Sequence, residues 1–158
     1  MPTAEAPRRT EAPPMNNTRR QNREAFIRLF QGFVADYGNV DGEKIIAHLV
    51  CHDIGGERRW VPAPGPDPLS RCGENFRKLW RDTCAKFERA SGRAIMNKIM
   101  VELGGRRVYF PDYKDWSMWA RNMKIQKQLH SGEDPKVVAG RWGLSCQMVI
   151  IIGKNNLN

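Results

Sequence analysis

Long apolar runs are missing from this 158-residue chain: the longest candidate, Met148 to Ile152, falls far short of the roughly 18 residues that cross a bilayer. The opening stretch, Met1 to Glu24, has no apolar segment of the kind a secretory signal needs, so a cytoplasmic protein is expected. Cysteine is sparse, and Cys51, Cys72, Cys84 and Cys146 form no CxxC pair, which reads as reduced thiols. Catalytic signatures are also missing. The three histidines and scattered carboxylates give no HExxH, no glycine-rich phosphate loop and no nucleophile–histidine set, so no enzyme and no cofactor are expected.

One histidine pattern needs a decision. His48, Cys51 and His52 stand at i, i+3 and i+4, one side of a helix, and could begin a metal site with Cys72 or Cys84. That spacing is common among half-buried helix residues. The expectation is therefore no metal.

Acidic residues are outnumbered, 17 against 26 Lys and Arg, which leaves a net charge of +9. Cations that neutralise phosphates release condensed counterions, so this balance favours nucleic acid as partner over a merely solvated basic surface. Membrane binding is not expected.

Along the chain, residues 1–20 mix Pro, Ala, Glu, Arg and Asn without periodicity and read as a disordered tail. Residues 21–62 then carry Phe26, Phe30, Phe33, Val34 and Tyr37 at helical spacing. Ile45, Ile46, Leu49, Val50 and Ile54 follow, and then the short strand "ERRWVP". A proline-rich linker occupies residues 63–72. Residues 73–112 repeat the order. Glu74, Phe76, Leu79 and Trp80 stand opposite Glu24, Phe26, Leu29 and Phe30 at an offset of 50; Ile95, Ile99 and Leu103 stand opposite Ile46, Val50 and Ile54 at 49. A one-residue deletion in the loop between the helices would reconcile the offsets. "GGERRWVP" at 55–62 and "GGRRVYFP" at 104–111 close the two units.

Strand side chains alternate in facing, so Arg107 and Tyr109 share one face and Val108 and Phe110 the other; Arg58 and Trp60 form the matching outward set in the first unit. Paired antiparallel, the strands would make a ribbon with an arginine and aromatic face. Such a face suits a phosphate backbone, and equally a solvated ribbon over a helical core.

Residues 113–158 carry the sharpest signal. Asp134 and Pro135 make an N-cap and first-turn proline, Val138, Ala139 and Trp142 share a face, Gly143 ends the helix, and Ser145 caps the next one. Counted from Pro135, Ala139, Gly143, Leu144, Val149 and Ile152 fall at positions five, nine, ten, fifteen and eighteen of a helix-turn-helix. The second helix of that motif enters the major groove. Ser145, Cys146, Gln147, Met148, Ile151 and Lys154 are its candidates for contact, with Gln147 suited to adenine and Met148 or Ile151 to thymine methyls; Lys136 and Arg141 are candidates for phosphate. The helix carries no arginine, and "VIII" turns an isoleucine outward, which also fits a protein partner.

The strand "GGRRVYFP", the pair Arg121–Asn122 and the helix-turn-helix with Gly143, Leu144 and Ser145 resemble the Mor family of phage transcription activators over about residues 85–152. The resemblance implies a helical dimerisation domain whose strands pair across a dimer axis, one helix-turn-helix per subunit, an imperfect dyad in a promoter, and recruitment of RNA polymerase. It places Tyr109 on the family's strand aromatic and Gly104 and Gly105 on its glycine pair. The N-terminal unit is an addition to that pattern. The whole reads as a mainly α protein with two helix-helix-strand units, a two-stranded antiparallel ribbon and a C-terminal helix-turn-helix, acting at the nucleoid as an intrachain pseudo-dimer or a homodimer.

Overall fold

Seven helices, one short 3-10 turn and two strands make up the described residues, 15–155, of the computed structural model. α1 (Met15–Tyr37), α2 (Asn39–Val50) and β1 (Glu57–Val61) are followed by the 3-10 turn Pro68–Ser70; α3 (Glu74–Lys86), α4 (Arg89–Leu103) and β2 (Arg106–Phe110) repeat the order. α5 (Tyr113–His130), α6 (Pro135–Trp142) and α7 (Cys146–Lys154) complete the chain. The mainly helical reading with a two-stranded sheet holds. The helix expected after residue 20 starts at Met15, and residues 1–14 of the expected tail lie outside the described residues. Arg20 pairs with Glu24 one turn on, the i, i+4 spacing that supports an exposed first stretch of helix.

β1 and β2 pair antiparallel in the register Glu57↔Phe110, Arg58↔Tyr109, Arg59↔Val108, Trp60↔Arg107 and Val61↔Arg106. Val61, Val108 and Phe110 are buried against one core with Phe26, Phe33, Ile46, Phe76, Met96 and their neighbours from all four helices. Both units therefore share a single apolar interior.

Several contacts between the units, those around the ribbon among them, come in reciprocal pairs. Gly56 N–H donates to the Phe110 carbonyl at 2.6 Å, and Gly105 N–H, 49 residues on, donates to that of Val61 at 2.7 Å. A Cβ on Gly55 would meet the Pro111 carbonyl at 3.3 Å; one on Gly104 would meet that of Pro62 at 2.5 Å. Arg28 bonds Glu102 at 2.8 Å, as Lys78 bonds Asp53 at 2.5 Å. At the ribbon's centre Arg59 faces Val108, its own counterpart at the offset of 49. Around the ribbon the central residues pair with their own counterparts and the flanking backbone contacts are exchanged.

The one-residue difference between the units does not lie in the helix-connecting loops. Gly42 packs on Val34 and Gly92 on Cys84, both at an offset of 50, and the buried positions Ile45, Ile46, Leu49 and Val50 correspond to Ile95, Met96, Ile99 and Met100 at the same offset. The shift to 49 appears only at Ile54 and Leu103. α4 runs on to Leu103, whereas α2 stops at Val50 and turns through Cys51–Asp53. The extra residue is absorbed in that turn, so the pairings of Ile95 with Ile46 and Ile99 with Val50 are each displaced by one.

Candidate nucleic-acid interface

α5 joins the shared core to the helix pair α6 and α7. The Asp112 carboxylate caps it by accepting from Asp115 N–H at 2.8 Å. Its first half lies in the main core, where Trp116 meets Phe30 and Phe26 edge-on with ring centroids 5.0 and 5.9 Å apart. Its second half supplies Ile125 to a separate small core with Val138, Ala139, Val149 and Ile152. α5 thus contributes to both cores, Trp116 and Trp119 to the larger and Ile125 to the smaller.

Within the arm the expected caps are in place. Asp134 accepts from Lys136 N–H at 2.9 Å, Pro135 opens α6, and Gly143 ends it at φ 68°, where a side chain would be strained. Ser145 Oγ accepts from Met148 N–H at 3.1 Å and starts α7. The buried set Val138, Ala139, Val149 and Ile152 is the one the spacing requires, and Trp142 and Leu144 are half-buried on it. Two glutamines that the sequence reading passed over tie the arm together. Gln128 Oε1 accepts from the Trp142 indole at 3.0 Å, and Gln126 Nε2 donates to the carbonyls of Ile152 and Asn155, closing α7 onto α5. Both lie on α5, outside the motif's own spacing.

The sequence candidates on α7 separate into two groups. Ser145, Gln147, Met148, Ile151 and Lys154 are exposed, Met148 at 46% and Ile151 at 47%, and Ile150 joins them at 39%. Cys146 is half-buried against the arm's core. On α6 Lys136 is exposed without an ion pair among the described residues, whereas Arg141 holds the Glu133 carboxylate by two bonds of 2.7 and 3.2 Å. That hydrogen-bonded pairing pushes the Glu133 carboxyl below its ordinary range and the Arg141 guanidinium above its own. To reach phosphate, Arg141 must exchange one anion for another.

The ribbon presents Arg58 and Arg107 as exposed side chains, with Trp60 48% exposed. Tyr109 differs from them. Its hydroxyl donates to Asp115 at 2.6 Å, a bond that, with burial, pushes the phenol up to about 12. Its backbone N–H and C=O both bond the side-chain amide of Asn22, at 3.0 and 2.8 Å. Asn22 thus imitates a third strand on the edge of β2. Tyr109 therefore anchors α5 and α1 to the ribbon, and the ribbon's outward chemistry falls to two arginines and a tryptophan.

Two of the three histidines, His48 and His52, sit at the seam between α2 and α3. His48 Nε2 lies 2.9 Å from Thr83 Oγ1, and His52 Nε2 2.8 Å from Asp82 Oδ2. Thr83 occupies the position of Phe33 in the other unit and is fully buried. Burial, and then the neighbouring His52, lower the His48 pKa. Cys51 is exposed and stands at the C-terminal cap of α2. No group of three ligand-type side chains suited to a metal occurs among the described residues.

No helix among the described residues is long and apolar enough to cross a membrane. No curated protein and no solved structure matches the chain. Residues 69–155, from the 3-10 turn through the second unit and the whole arm, match a family of transcription activators. With more than half its length in that match, the chain belongs to the Mor transcription activator family.

Proposed function

We propose that this chain is a single-armed, sequence-specific regulator of phage or prophage transcription that reads a promoter with α7 in the major groove and assists RNA polymerase there. The observation that carries this reading is the second helix of the arm, capped by Ser145 and offering Gln147, Met148, Ile151 and Lys154 to solvent while Val149 and Ile152 hold it to the core. Gln147 has the two-pronged amide that pairs with adenine, and Met148 and Ile151 suit thymine methyl groups. Lys136 and Lys154, with Ser145 and Arg141 once released from Glu133, would hold phosphates; Arg58, Trp60 and Arg107 would touch the backbone beside them. Tyr109 would position the ribbon.

In this reading the N-terminal unit takes the place of a second subunit. The reciprocal contacts around the ribbon support it, as does the course of the chain after Pro62, which enters the linker where the second unit enters α5. One arm then meets one half-site. The test is selection of bound duplexes from a random pool at physiological salt, followed by a salt titration. A motif one half-site long should emerge, and five cations on phosphate (Lys136, Arg141, Lys154, Arg58 and Arg107) give a slope of log K against log salt of about −4.5. Recovery of no motif would sink the reading.

A second reading rests on the same helix. Met148, Ile150 and Ile151 form an apolar exposed strip without an arginine, which suits a protein partner such as a host factor or the polymerase itself. Ile151→Glu would then abolish partner capture while weak, unselective DNA binding persisted.

A further inference from the structure

A cleft of about 740 Å³ opens between the shared core and the arm, lined by α1, α2, α5 and the end of α6. Its longest wall is a stripe of α5 at helical spacing, and the chemistry of that stripe changes along its length. Tyr113, Trp116, Ala120 and Met123 line the stretch nearest the core, facing Phe30; Arg121, Lys124, Lys127 and His130 follow towards the arm, where Trp142 closes the far end. None of Arg121, Lys124 and Lys127 forms an ion pair among the described residues; Arg121 donates only to the Asn122 amide oxygen, at 2.9 and 3.1 Å. Glu43 is the one carboxylate on the lining. The cleft is thus an aromatic pocket at one end and an unneutralised cationic one at the other.

We infer that this cleft binds a small aromatic anion, its ring against Phe30 and Trp116 and its carboxylate, sulfonate or phosphate against Arg121, Lys124 and Lys127. Size favours a small molecule over a peptide helix. Sites for small ligands run from roughly 300 to 1,000 Å³, whereas three turns of helix about 10 Å across fill about 1,300 Å³. Charge complementarity sets the sign of the ligand, and the aromatic walls set its flatness. Because the lining comes from both the core and the arm, a bound anion would brace α5 and fix the direction in which α7 is presented. That regulatory consequence rests on the DNA-binding reading above; the binding itself does not.

The test uses the full chain without DNA and two dyes with the same pair of aromatic groups, anilinonaphthalene sulfonate and its uncharged analogue N-phenyl-1-naphthylamine. The sulfonate should bind at one site per chain, at least tenfold more tightly than the neutral dye. Lys124→Ala with Lys127→Ala should weaken the sulfonate at least fivefold and leave the neutral dye unchanged. Ala120→Trp should block both dyes; should it alter the thermal melt, Ala47→Phe fills the cleft from α2. A neutral dye as tight as the sulfonate, or sulfonate binding that survives a filled cleft in a chain that melts normally, would overturn the inference. So would displacement of the dye by an oligoglutamate peptide but not by naphthoate, which would assign the cleft to an acidic protein segment, or displacement by any duplex, which would assign it to DNA. Normal dye binding with no selected DNA motif would leave the cleft standing and remove only its regulatory role.

Discussion

Replacing Gly104 by alanine puts the closeness of the two units under direct strain. The residue has φ −73° and ψ 161°, an extended conformation open to any side chain, so the substitution carries no backbone penalty of its own. Space is the obstacle. The new Cβ would stand 2.2 Å from the Met100 carbonyl oxygen, 2.5 Å from that of Pro62 in the other unit, and 3.1 Å from Ala63 Cα, all backbone atoms. None of these can swing aside like the end of a side chain, so β2 and the segment after β1 must part. Overpacking of this kind costs about 1–3 kcal/mol, and three backbone neighbours put Gly104→Ala at the upper end. At about 2–4 °C per kcal/mol for a chain of this length, a cost of about 3 kcal/mol lowers the melting temperature by about 6–12 °C. Circular dichroism at 222 nm reads the loss, with a urea titration for the free energy. Gly140→Ala is the counterpart: it lies within α6, its Cβ would meet nothing within 4 Å, and helix propensity should stabilise the arm by about 0.5–1 kcal/mol. A Gly104→Ala protein that melts within 1 °C of the parent would refute the close approach of the units.

Four further outcomes follow from single residues. Tyr109 should ionise late, at about 12 in an absorbance titration at 295 nm, because its hydroxyl donates to Asp115. Its raised pKa stabilises the fold fully below the ordinary phenol value near 10, and that contribution fades as pH rises through 12; Tyr109→Phe should erase the late step. His48, with its pKa lowered by burial, acts in the opposite direction. The folded chain resists protonating it, so stability should be full above about pH 6.5 and fall as pH drops below. His48→Gln should flatten that slope in urea midpoints between pH 7 and 5, and an unchanged slope counts against the buried seam. Ser145→Ala should cost about 1 kcal/mol of arm stability by removing the bond to Met148 N–H. Gln147→Ala should leave the melt unchanged while losing discrimination at one base pair.

The elements most legible in the sequence are those whose signals are local. Asp134, Pro135, Gly143 and Ser145 each do one thing to a neighbouring turn, and all four stand where the spacing put them. The ribbon's facing was equally readable, because strand periodicity is two and the outward pairs Arg58↔Tyr109 and Trp60↔Arg107 follow from it. What escaped depends on distant partners. Asn22 meets Tyr109 across 87 residues, and no local pattern marks an asparagine that will complete a strand edge. Tyr109 shares the outward parity of Arg107, yet Asp115 and Asn22 take its polar groups. Cys146 leads α7 but packs against the arm's core. α5 was hidden in a different way: its stripe changes allegiance from one core to another halfway along, so it follows no single amphipathic pattern. The offset between the units was misplaced because an extra residue in the turn after α2 and one in a loop leave nearly the same apolar spacing. Burial distinguishes them.

The mass of the protein in solution bears most directly on the idea that one chain supplies both halves of the regulator's core. Size-exclusion chromatography with light scattering at tens of micromolar should return the mass of one chain, 18.1 kDa, with Gly104→Ala lowering stability but leaving the mass unchanged. A stable species of twice that mass, held together by β1 and β2 pairing between chains, would contradict it.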